Sequence, residues 1–106
     1  MNMRIYPREH GLERLAAGLR PLGHTLRLGI LRHLRMRGAT CVCALASALG
    51  TDQPTLSRHL RILKDAGLLD SERSGANILY GLNEDNVGKL SRTLRILLET
   101  KKEEDS

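Results

Sequence analysis

Apolar residues recur along this chain with the spacing of helices. Leu12, Leu15, Ala16 and Leu19 fall at i, i+3, i+4 and i+7, which predicts an amphipathic helix behind an N-terminal arm of residues 1–8. Pro21 and Gly23 end it. Leu26, Ile30, Leu31 and Leu34 share one side of a second helix from about Thr25 to Met36, and Gly38 is its stop signal. Thr40 is placed to cap a short third helix running through Leu49, with Val42, Leu45, Ala46 and Leu49 as its stripe. Gly50 breaks it. Thr51 or Asp52 then caps a fourth helix, whose first turn holds Pro54. Leu56, Leu60 and Leu63 line the buried side of that helix as far as Gly67, while Thr55, Ser57, Arg58, Arg61 and Lys64 fall elsewhere around it.

The period changes after Gly67. Ile78, Tyr80 and Leu82 alternate, and Ser74-Gly75 marks a turn inside the polar stretch from Ser71 to Asn77, so Leu68 to Leu82 reads as a β-hairpin. Val87, Leu90, Leu94 and Leu97 predict a last helix from about Asp85 to Glu99. No repeat or interdomain linker interrupts the pattern. Residues 1–106 therefore read as one domain, mostly α with about five helices and a small hairpin, with the arm (1–8) and the charged tail (100–106) expected to be flexible.

Composition narrows the function. The chain has two Tyr and no Trp or Phe, so its core must be built from aliphatic side chains. A domain this small has little stability to spare, and a partner subunit would cover more apolar surface. The net charge is +5 and the pI about 9.8. The charge is unevenly spread: Arg4 to Arg37 holds eight Arg against two Glu, and Gln53 to Lys64 carries Arg58, Arg61 and Lys64 with no acid. A basic helix of this kind suits a phosphate backbone. Two cysteines are too few for a disulfide scaffold, and their i, i+2 spacing argues against a strain-free bond between them. There is no apolar run of membrane-spanning length and no N-terminal signal core, so a cytoplasmic protein with reduced thiols is expected. No glycine-rich phosphate loop or supported Ser/His/Asp set is present, which argues against an enzyme.

The order of elements carries the functional reading. A short helix, a tight Gly50-Thr51-Asp52 turn, a polar and basic helix, and a hairpin with an exposed tip make a winged helix-turn-helix. The second helix of such a pair enters the major groove and presents its N-terminal residues to base edges. Gln53 and Thr55 stand where direct readout is expected, and Ser57, Arg58, His59 and Arg61 are candidates for base or phosphate contacts. Arg73 flanks the wing tip and could reach a phosphate or the minor groove. The competing class is a winged-helix module for protein assembly, which an acidic or apolar fourth helix would have favoured.

The chain resembles the ArsR/SmtB metalloregulatory repressors. His24 to Leu31 matches the family's second helix. Asp52-Gln53-Pro54-Thr55-Leu56-Ser57-Arg58-His59-Leu60, then Leu63 to Leu69, match its turn and recognition helix. Arg73-Ser74-Gly75, Tyr80 and Leu82 match its wing. The resemblance implies a homodimer joined through the first and last helices. It also implies double-stranded operator DNA near the protein's own gene, and release on binding an inducer.

Thr40-Cys41-Val42-Cys43-Ala44-Leu45 resembles the family's thiolate site, which implies arsenite, antimonite or a soft divalent ion as inducer. Thiolates are the ligands such ions prefer. In a regular helix, residues i and i+2 point about 200° apart, so ligation is expected to need a locally unwound third helix. Two departures weaken the match: Ala46 stands where a third Cys is usual, and Ala44 where an acid is usual. His10 on the arm side is a candidate third ligand. The last helix has no His, so the family's second metal site is expected to be absent. Two other readings of Cys41 and Cys43 stand beside this one: small buried residues, or a thiol redox sensor. His24 and His33 read as structural or solvated, and Tyr80 as wing core.

Overall fold

A computed structural model describes residues 9–99, with side chains from Gly11 onward. Helix α1 (Glu9–Leu19) runs into a single 3-10 turn at Arg20–Leu22, which carries Pro21 where the missing amide does no harm. Helix α2 (Thr25–Arg37) follows. His24 caps it, its Nδ1 accepting the Leu26 amide at 3.1 Å. Gly38 leaves the helix with φ 81°, a backbone state that glycine reaches without steric cost.

Thr40 does not cap the third helix, contrary to the expectation from its position. Thr40 and Cys41 form a short strand, β1, that pairs antiparallel with the second wing strand at Tyr80 and Leu79, and helix α3 begins two residues later (Val42–Leu49). Both Thr40 and Cys41 are half-buried against that strand. Helix α4 (Gln53–Asp65) is capped by Asp52, whose carboxylate accepts the Thr55 amide at 2.8 Å. Strands β2 (Leu69–Ser74) and β3 (Asn77–Leu82) make the wing around Gly75 and Ala76, and α5 spans Glu84–Glu99. The sheet therefore has three strands in the order β1-β3-β2 rather than two.

One aliphatic core holds these elements together. Ile30 and Leu34 from α2, Leu45 and Ala46 from α3, Leu56, Leu60 and Leu63 from α4, and Leu68 and Leu69 at the start of the wing form a single buried cluster. All three α4 leucines are fully buried, as the i, i+4, i+7 spacing predicts. The flanking helices differ. Among the described residues Leu15 is the buried one of α1, Ala16 is exposed, and α5 has no buried residue at all. Leu12, Ile96, Leu97 and Leu98 remain exposed on these two helices. Among the described residues, no helix is long and apolar enough to cross a membrane.

Candidate DNA-binding face and thiol pair

Helix α4 is an amphipathic element with its leucines inward, which leaves its polar side to solvent. Gln53 is exposed in the first turn, and Ser57, Arg58 and Arg61 are exposed further along. Thr55 is half-buried and belongs to the cap: its hydroxyl donates to Asp52 Oδ2 at 3.0 Å and accepts from Arg58 Nη2 at 3.5 Å. The Thr55 amide, then its hydroxyl, holds the Asp52 carboxyl below the usual carboxylate range. Arg61 sits one turn before Asp65, at 3.7 Å, with its side chain 83 % exposed, so the pair leaves it available to another anion. Lys64 Nζ donates to Ser71 Oγ, joining the end of α4 to the wing. Arg73 is exposed beside the wing turn.

His59 is placed differently from its neighbours. It is half-buried and turned towards α2, where Arg27 Nε donates to its Nδ1 at 3.0 Å. The His24 ring lies 4.4 Å from it, tilted by 49°. Burial first, then the charges around it, hold the His59 imidazolium below its ordinary pKa. Sequence reasoning missed this contact. His24 and Arg27 lie 35 and 32 residues away, and nothing in their own spacing points to a partner on α4.

The cysteines meet at the junction of β1 and α3. Cys41 is extended (φ −76°, ψ 158°) at the N-cap of α3, and Cys43 lies in the first turn. Their sulfurs are 3.2 Å apart. The expected divergence of about 200° holds only inside a helix, and Cys41 is outside it. Ligation thus needs no unwinding of α3, which corrects the sequence-based expectation. Hydrogen bonding to Cys43, with help from the Ala44 amide, lowers the Cys41 pKa. Cys43 is raised by the same bond and by the neighbouring charge. Once one proton has left, the pair is a thiolate and a thiol sharing the other. Cys43 is exposed and Cys41 half-buried, so the reading of both as plain core residues does not fit.

The donor set fits a soft ion. At a metal–sulfur bond of ~2.3 Å, sulfurs 3.2 Å apart subtend ~88° at the ion. That is tighter than a tetrahedron and close to the near-right angles of a pyramidal centre that carries a lone pair. Among the described residues no third His, Cys, Asp or Glu joins the two thiols in a metal-binding group. The His10 side chain, the candidate third ligand, lies outside the described residues.

Comparison with known proteins agrees with the winged helix-turn-helix fold. The sequence pattern of the bacterial regulatory proteins of the arsR family matches residues 24–71. The chain is 42% identical over 80 residues to the arsenical resistance operon repressor of Bacillus subtilis, covering 74% of this chain and 76% of that protein. It is 42% identical over 77 residues to the transcriptional repressor SmtB of Mycobacterium tuberculosis, covering 71% of this chain and 56% of that one, just over half its length. A homodimeric winged helix-turn-helix DNA-binding domain from Mycobacterium bovis has the same fold. Its TM-score is 0.69 at 28% identity, over 90% of this chain and 88% of that one.

Proposed function

The chain belongs to the ArsR family of bacterial regulatory proteins, which are DNA-binding transcriptional regulators rather than enzymes, and from that premise we propose a homodimeric repressor that a thiophilic metalloid or metal releases from its operator through Cys41 and Cys43. The observation that carries the proposal is the 3.2 Å approach of the two sulfurs at the β1–α3 junction. Arsenite and antimonite suit it best, because two thiols at that separation chelate a pyramidal centre. Two As–S bonds replace two As–O bonds, the two thiol protons leave as part of two waters, and one hydroxide stays on arsenic. A soft divalent ion would have to spread the sulfurs and find further ligands.

Two packing relations support a link from the thiol pair to DNA binding. Helix α3 packs against α4, and β1 is hydrogen-bonded to the wing, so a ligand across Cys41 and Cys43 ties together the supports of both DNA-contacting elements. The inducer binds the DNA-incompetent state better, and the coupling need be only about 1–3 kcal/mol to change occupancy substantially. Gln53, Ser57, Arg58 and Arg61 on α4 and Arg73 on the wing supply the contacts to double-stranded operator DNA, with Thr55 fixing Arg58. The exposed Leu12, Ile96, Leu97 and Leu98 supply the dimer face on α1 and α5.

Binding to DNA from upstream of the protein's own gene tests the first half of the proposal. Affinity should fall steeply as salt rises, and Arg58→Ala and Arg73→Ala should each reduce the salt slope by about one. Binding that ignores salt would favour the protein-assembly module instead. The close thiol pair also favours a second reading, in which oxidation of Cys41 and Cys43 is the signal. Release by a mild thiol oxidant without any metalloid would support that reading.

A further inference from the structure

We propose that Arg27 and His59 form a latch between α2 and α4 that sets the pose of α4 in the DNA groove, with His59 acting as a positioning residue in its neutral form. The inference rests on the reading of α4 as the DNA-contacting helix. A single guanidinium joins three segments. Arg27, on α2, donates from Nε to His59 Nδ1 on α4 at 3.0 Å and from Nη1 to the Pro21 carbonyl at 3.2 Å. His24 packs its ring against His59 and is itself fixed, since its Nδ1 accepts the Leu26 amide.

Ile30 and Leu34 of α2 share one aliphatic core with Leu56, Leu60 and Leu63 of α4. Apolar burial is strong but non-directional, and it tolerates small rotations of one helix on another. The latch adds the directional contact. His59 lies between the exposed Arg58 and the buried Leu60, so a rotation that broke the latch would also move the exposed polar face of α4.

The chemistry fixes the protonation state. Nδ1 accepts from Arg27, so the ring proton is on Nε2. A second proton would turn Nδ1 into a donor facing another donor and set two positive charges side by side. The charged and titratable groups facing His59 are His24 and Arg27 from the α2 side and Arg58 from its own helix. All are basic, and none offers an imidazolium a partner. Acid should therefore open the latch. A histidine that contacts phosphate directly behaves in the opposite sense, because its protonation strengthens binding.

The test is the affinity of the full chain for DNA from upstream of its own gene, measured by anisotropy at constant ionic strength from about pH 7.5 to about pH 4.5, well past the ordinary histidine value of about 6.5 because the folded His59 titrates below it. The wild type should weaken about tenfold on acidification. His59→Phe keeps a ring but no acceptor, and should bind about tenfold more weakly at both ends. His59→Asn places a carbonyl oxygen near the Nδ1 position, and should recover most of the affinity that Phe loses while removing the acid response. Affinity that rises or stays level on acidification, or a Phe variant that binds as the wild type does, overturns the latch. Nitrogen NMR of His59 in the DNA-free protein gives an independent readout. The latch requires a protonated Nε2 and a bare Nδ1 at neutral pH, and the other tautomer overturns it. Absence of any salt-sensitive DNA binding with the predicted tautomer present would instead count against α4 as the DNA-contacting helix.

Discussion

Gly67 joins the end of α4 to the wing, and two independent costs of replacing it can be worked out. Its φ is +82°, in the left-handed region, where an added Cβ costs about 1–2 kcal/mol. That Cβ would also lie 3.1 Å from Nδ2 of Asn86, the atom that donates to the Gly67 carbonyl at 2.8 Å. Displacing Asn86 forfeits a hydrogen bond worth about 0.5–1 kcal/mol at an exposed site. Gly67→Ala should therefore destabilise by about 1.5–3 kcal/mol. Gly75 is the internal control. It has φ +62° but nothing within 4 Å of an added methyl, so Gly75→Ala should cost only the conformational part, about 1–2 kcal/mol. Urea unfolding at a fixed protein concentration measures both, since a dimer's stability depends on concentration. Adding Asn86→Ala should cost less on top of Gly67→Ala than in the wild type. If Gly67→Ala is no more harmful than Gly75→Ala, the tie between the α4 exit and α5 contributes nothing.

Further outcomes follow from the same geometry. Leu60→Ala should destabilise by about 2–5 kcal/mol because Leu60 is fully buried. Leu28→Ala, 51 % exposed on α2, should change stability by less than about 0.5 kcal/mol. Arg35→Ala removes a two-bonded pair with Glu84 (2.8 and 3.0 Å) that joins α2 to the start of α5. Both side chains are more than half exposed, so its effect should be small in unfolding curves and vanish in molar salt. Hydrogen bonding to Arg35 holds the Glu84 carboxyl below its usual range, so the pair's contribution is present above the unfolded pKa and lost as pH falls through the folded one. His59 has the same sign from a different cause: burial lowers its pKa. Its neutral form is undisturbed above about pH 6.5, and acidification below that favours the unfolded chain until the folded group also titrates.

The fold is most legible in the sequence where one period runs without interference. The α4 leucines are all buried as their spacing requires, and glycine and proline punctuation marks the helix ends to within a residue or two. Legibility fails at Thr40 and Cys41. A polar residue ahead of an apolar stripe reads as a cap, and only the register against Leu79 and Tyr80, some forty residues later, makes it a strand. That single long-range pairing also decides the thiol geometry, because it holds Cys41 extended and lets its sulfur meet that of Cys43. His59 escapes for a related reason. Its neighbours Ser57, Arg58 and Arg61 are exposed, and nothing local distinguishes it, but the half-buried side of α4 next to Leu60 faces Arg27. Residues that act through partners distant in sequence leave little trace in spacing or composition.

Everything proposed for regulation depends on Cys41 and Cys43 converting a thiophilic ligand into release from DNA. The decisive experiment is anisotropy of the DNA-bound protein titrated with arsenite, antimonite, cadmium, lead and zinc, with Cys41→Ser/Cys43→Ser run beside the native chain. Arsenite or antimonite should release the native protein at the lowest concentration, and the double variant should stay bound throughout. Release of both proteins alike, or tight native binding that no ion disturbs, would contradict the thiol switch.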